Sequence, residues 1–162
     1  PASDLSLKGN PMATPQFTPG PSLYDTDFYQ WTQAMANALR QGSWQDLDID
    51  NLVEEIDSLG RSDKRALKNR LEVLFMHLLK WSYQPEHRSN SWQTTIVEQR
   101  LRIQDLLADS PSLKPYLKTE QGRCYANARK LAAAETGLDI ATFPQQCPFT
   151  LKAVLTEGFL PD

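Results

Sequence analysis

The sequence is poor in the residues that usually announce a chemistry. Its 162 residues include two cysteines, two histidines and seven glycines. Cys124 sits inside a helical pattern and Cys147 stands before Pro148, so the two make neither a disulfide framework nor a redox pair. A structural zinc site takes about four ligands, and the cysteines with His77 and His87 show no such spacing. No metal and no other cofactor is expected. The glycines form neither a phosphate-cradling loop nor a dinucleotide fingerprint. Long apolar runs are missing too. The most hydrophobic stretch, Leu71 to Leu79, is broken by Glu72 and His77, and a membrane span needs roughly 18–20 apolar residues. The chain does not open on a basic segment followed by an apolar one, so a cytoplasmic protein without a signal peptide or membrane association is expected.

What is present describes a globular chain, 40% hydrophobic and 23% charged. Proline is unevenly placed: five of the 11 fall within the first 21 residues, with no apolar periodicity around them. Residues 1–22 read as an extended tail, with Met12 a candidate natural start and residues 1–11 an upstream remnant. Residues 23–162 read as a single helical domain. Sustained β-type alternation is absent, so the fold class is all-α, an antiparallel bundle of four to five main helices with a short C-terminal helix. The first helix spans about 25–40, capped by Asp25 or Thr26 and ended by Gly42, with Phe28, Trp31, Thr32, Met35 and Leu39 on one face. A short second helix starts at Asp48 and ends at Gly60, with Leu52, Ile56 and Leu59 facing inward. The third runs from about Ser62 to Trp81 on a Leu67-Leu71-Leu74-Leu78 seam and is stopped by Pro85. The fourth begins between Ser89 and Ser91 and carries Trp92, Ile96, Gln99, Ile103 and Leu106. The fifth starts at Ser110-Pro111, carries Leu117, Cys124, Ala128 and Leu131, and ends at Gly137. Trp44 and Phe159 are either interface aromatics or terminal packing residues.

Several segments then become familiar: LVEEIDSLGR (52–61), LFMHLLKWSYQP (74–85), HRSNSWQTTIVEQR (87–100), SPSL (110–113), AAETGL (133–138) and FPQQCPF (143–149). Together they resemble the bacterial, largely cyanobacterial family called domain of unknown function 29, over nearly everything but the tail. The resemblance implies a compact all-helical fold. It implies no activity, cofactor or catalytic residue.

The net charge of -3 hides a partition. Residues 24–60 hold one basic residue and eight acids, while residues 61–102 hold nine basic residues and four acids. The basic block is either an anion-binding face or, more economically, the partner of the acidic helix before it. An overall pI of 5.4 argues against nucleic acid.

Helical geometry places several polar groups on or beside the seams: Glu55, Arg70, His77, Gln99, Arg100, Glu120, Asn127 and Glu135. Buried polar groups must find partners, so these residues are expected either to form a register-fixing network or to line a pocket. Glu135 lies near a helix C-terminus, where a carboxylate gains from a cation, and Arg70, Arg100 and His77 are the candidates. Ser82 to Trp92 is the best candidate site. There Arg88, the hydroxyls of Ser89 and Ser91 and the free amides of a helix start suit a phosphate or carboxylate, with Tyr83, His87 and Trp92 as flat surfaces. Catalytic signatures are weak. Glu-x-x-His metal pairs are absent. Glu54, Glu55 and Asp57 only superficially resemble the acidic cluster of helical nucleotide pyrophosphohydrolases, and Ser91 beside His87 is a poor nucleophile–base pair. The expected function is a helical binding or regulatory module for a protein partner or small anionic ligand, with an anion site near Arg88. The ligand-binding candidates are Glu55, His77, Arg88, Ser91, Trp92, Arg100 and Glu135. The alternative is a hydrolase or nuclease acting on a phosphorylated substrate through the inward polar cluster.

Overall fold

The computed structural model describes residues 20–162. The tail expected over residues 1–22, Met12 included, lies outside the described residues except for Gly20 to Ser22. The fold is an all-α helical bundle, and the described residues contain no strand. Among the described residues six helices follow one another: α1 (Leu23–Thr26), α2 (Phe28–Gln41), α3 (Ile49–Tyr83), α4 (Asn90–Asp109), α5 (Lys114–Thr136) and α6 (Leu151–Leu155). They belong to two compact units, the residues up to Glu54 and Glu55–Asp162.

In the first unit, Asp27 separates α1 from α2 and caps α2 by accepting the Gln30 amide at 2.9 Å. Asp25, an expected cap, instead accepts the Ser22 hydroxyl at 2.7 Å. Gly42 ends α2 as expected, in the left-handed region at φ 68°. The buried face of α2 is Trp31, Met35 and Ala38, whereas Phe28 and Leu39, expected on it, are exposed. Within this unit Asp48 joins α2 to the first turn of α3. Its carboxylate accepts the Trp31 indole at 3.1 Å and the Asn51 side chain at 2.8 Å. Foremost through Asn51, these bonds hold its pKa below the usual carboxylate value.

The expected second and third helices are one. α3 runs unbroken for 35 residues through Gly60. An interior glycine costs only about 1 kcal/mol relative to alanine, and Gly60 lacks the positive φ that lets Gly42 and Gly137 end their helices. At about 100° per residue, Ile49, Ile56 and Gly60 fall in the sector of Leu67, Leu71, Leu74 and Leu78, so the helical period carries straight through. Two expectations fall with this. The end of the acidic block (Asp50, Glu54, Glu55 and Asp57) and the start of the basic block (Arg61, Lys64, Arg65, Lys68 and Arg70) lie end to end on α3, and so do not pair as separate helices. Ile56 and Leu59, expected inward, are 65% and 69% exposed, and only Leu52 is partly covered.

The second unit packs α3, α4 and α5 around a seam in which Leu67, Leu71, Leu74 and Leu78 are fully buried. Ile96, Ile103 and Leu107 line it from α4, and Leu117, Cys124, Tyr125, Ala128 and Ala132 from α5. Leu131, expected on the α5 stripe, is exposed, and its neighbour Ala132 takes the inward position. Polar bridges give the helix directions. Lys80 meets Trp92 and Arg70 meets Gln99, so α3 and α4 are antiparallel. Lys68 meets Glu120, Glu72 meets Asn127 and Lys80 meets Glu135, so α3 and α5 are parallel. This is the up-down-up order that short connections impose. Phe75 joins the layers, edge-on to Tyr125 at 5.7 Å and stacked with Phe149 at 6.5 Å.

Candidate functional site

The α3–α4 connection is built by Pro85 and Ser89. Pro85 begins a single 3-10 turn, Pro85–His87, after the end of α3. Ser89 then starts α4 by accepting the Trp92 amide on its hydroxyl at 3.3 Å. Between them stands Arg88. Its Nε donates to the Trp81 carbonyl at 2.9 Å, and its guanidinium lies 5.1 Å above the Trp81 ring. Two restraints on one side chain fix where its terminal amino groups point. Among the described residues no carboxylate stands within 4.0 Å of Arg88, and the residue is exposed. Glu86, its nearest acidic neighbour in sequence, instead lies 3.8 Å from His87 Nε2. The first bond of the helix ladder is Gln93 N–H to the Ser89 carbonyl, so the amides of Asn90 and Ser91 precede it and face outward. Ser91 is exposed beside them.

A second cluster lies inward. Lys80 is 7% exposed, yet its ammonium donates to Glu135 Oε2 at 2.6 Å and sits 4.4 Å over the Trp92 ring. Glu135 thus finds a cation, but Lys80 and none of the three candidates named above. His77, one turn before Lys80 on the same edge of α3, uses Nδ1 to donate to the Val73 carbonyl at 2.9 Å. Burial, first, pushes the imidazole below its ordinary 6.5, and the Lys80 charge adds to this. The bond to Val73 and the charge of Glu135 oppose the shift. His77, Trp92 and Glu135 are therefore brought together around Lys80. Lys80 was not singled out from the sequence, where a lysine in the last turn of a helix looks like ordinary favourable charge placement.

The remaining candidates are elsewhere. Arg100 is 3% exposed and spends its guanidinium on backbone, Nε to the Val154 carbonyl at 2.8 Å and Nη2 to the Phe159 carbonyl at 2.9 Å. Glu55 lies on α3 22 positions before His77, ~33 Å away along the helix. The other inward polar residues pair across helices: Arg70 with Gln99 at 3.3 Å, Glu72 with Asn127 at 2.8 Å, and Lys68 with Glu120 at 3.6 Å. The basic block surfaces on α3 as Arg61, Lys64, Arg65 and Lys68, lining an open groove of about 360 Å³ with Tyr116, whose ring lies 5.0 Å from the Lys64 ammonium. Burial raises the Cys124 thiol to about 11, and Cys147 is also raised by burial, so neither supplies a thiolate at neutral pH. Among the described residues no three His, Cys, Asp or Glu side chains gather as metal ligands would, and no helix is long and apolar enough to cross a membrane. A family model described as "Domain of unknown function DUF29" matches residues 23–160. No curated protein and no solved structure matches the chain.

Proposed function

The chain belongs to the DUF29 family, and from that premise we propose that it is a binding module that presents Arg88 to an anionic group, a phosphate or carboxylate, of a small ligand or protein partner. One observation carries this reading. Arg88 is positioned by a carbonyl and an aromatic ring, and among the described residues no carboxylate neutralises it. A guanidinium held in place loses little freedom on binding and offers paired donors suited to an oxyanion. The outward amides of Asn90 and Ser91 and the Ser91 hydroxyl supply further donors at the positive end of the 20-residue helix α4. The alternative, a hydrolase or nuclease working through the inward polar cluster, requires its acids and His77 to converge on one substrate. Glu55 is ~33 Å from His77 along α3, Arg100 is committed to two carbonyls, and Glu135 is held by Lys80.

Calorimetric titration of the full chain with inorganic phosphate, pyrophosphate and a phosphoserine peptide at low ionic strength tests the reading. At least one of them is expected to bind saturably with a Kd of about 1 mM or tighter. Arg88→Gln is expected to weaken that binding ~10-fold or more, the scale of a lost charge-assisted hydrogen bond. Binding unchanged in Arg88→Gln, or no saturable binding to any of the three, overturns the proposal.

A further inference from the structure

A groove at the other end of α4 from Arg88 has no part in the anion site. It lies where the end of α4, the start of α5 and the short helix α6 meet, and its volume is about 510 Å³. Leu107, on its edge, is 17 positions beyond Asn90, ~26 Å along the helix. Leu107 and Leu117 give the groove a buried floor, and the half-buried Leu151 and Leu155 give it a wall. That wall is held from α4, because Arg100 Nε donates to the Val154 carbonyl and Gln104 Nε2 to the Leu155 carbonyl. Lys114 and Lys118, one turn apart on α5, form another edge. Among the described residues that line the groove these two are the only polar ones, and the rest are leucine and proline.

Charge and size indicate the occupant. Both lysines are exposed, and among the described residues no carboxylate stands within 4.0 Å of either. Lys114 opens α5, and the first turn of that helix holds no acid. A cation there faces the positive end of the helix dipole, where an anion is favoured. The methylene stems of lysines extend an apolar surface while their ammonium groups stay at its rim. An apolar hollow with a few polar groups at one edge, ~300–1,000 Å³ in size, is the usual form of a small-molecule site. The edge from Lys114 to Lys118 and the wall from Leu151 to Leu155 each run one helical turn, ~6 Å. A helical peptide seats its anchors over two turns or more, so the groove is too short for one. We propose that it binds a medium-chain alkyl carboxylate, with the chain against the four leucines and the carboxylate between the ammonium groups of Lys114 and Lys118.

Calorimetric titration of the full chain with hexanoate, heptanoate and octanoate, each below its micelle concentration, tests this. Octanoate is expected to bind saturably with a Kd of about 1 mM or tighter. Affinity is expected to rise ~4-fold per carbon along the series, the effect of burying one more methylene. Lys114→Gln with Lys118→Gln alters two exposed side chains and so spares the fold. It is expected to weaken octanoate ~10-fold or more and to leave binding of 1-octanol unchanged, since the alcohol uses only the leucines. Saturating octanoate is expected to slow amide exchange within Leu151–Leu155, which locates it in the groove. No saturable binding of octanoate, meaning that the groove serves a protein partner or none, overturns the proposal. So does a flat chain-length series, octanoate binding no tighter than octanol, or a double variant that binds octanoate as the unaltered chain does. Exchange that slows around Arg88 and not in α6 overturns it as well.

Discussion

Arg100 keeps a positive charge inside the bundle on the strength of two backbone carbonyls. Burial pushes its pKa down, with Glu157 opposing the shift, yet an arginine stays protonated at any ordinary pH. Its bonds to Val154 and Phe159 fasten α6 and the residues after it onto α4, helped by Gln104 Nε2 donating to the Leu155 carbonyl at 2.9 Å. Arg100→Met fills similar space but leaves both carbonyls unpaired. It is expected to lower stability by about 2–3 kcal/mol, measured by urea denaturation, and to speed amide exchange within Leu151–Leu155 first. The sequence shows that Arg100 lies at the edge of an apolar face and therefore needs a partner. It cannot show that the partner is main chain more than 50 residues away, because every residue offers the same carbonyl. Glu135 differs in that its need for a cation is legible from its place near the end of α5. Lys80 meets that need through the parallel alignment of α3 and α5, which no local pattern specifies.

At the scale of elements, turn chemistry was the most legible feature. Gly42 and Gly137 adopt left-handed φ values of 68° and 72° and end α2 and α5 where a glycine after an apolar period should. Gly60 looked the same and was not. The discriminating signal was in the sequence, since Ile49 and Ile56 before it share one helical phase with the Leu67-to-Leu78 seam after it. Gly122 is a second glycine inside a helix. It is exposed in α5, and a Cβ there meets nothing within 4 Å. Gly122→Ala is therefore expected to stabilise the fold by about 1 kcal/mol, because alanine loses less backbone freedom in a helix. A raised urea midpoint with unchanged slope is the measurement that checks it.

At the scale of the molecule, the inward cluster ties stability to pH. Folding lowers the pKa of His77 below 6.5, foremost by burial, so the unfolded chain binds the proton more readily. The stability that His77 contributes is fully present above about pH 6.5 and is lost as the pH falls through that value toward the folded pKa. Thermal midpoints followed from pH 7.5 to 5 should decline, and His77→Gln should decline less over the same range. By itself the sequence determined the all-α class, the Leu67-to-Leu78 seam, the family, and the helix starts and stops set by Ser89, Pro85, Gly42 and Gly137. Each of these follows from periodicity, from local backbone preference or from matched segments along the chain. Only the tertiary structure decided that Lys80 holds Glu135, that Arg100 is bound to carbonyls, that Arg88 is held on Trp81, and that Ile56 and Leu59 are left exposed. Those outcomes depend on which faces of separate helices meet, and helices with the same period and polarity can be aligned in more than one way.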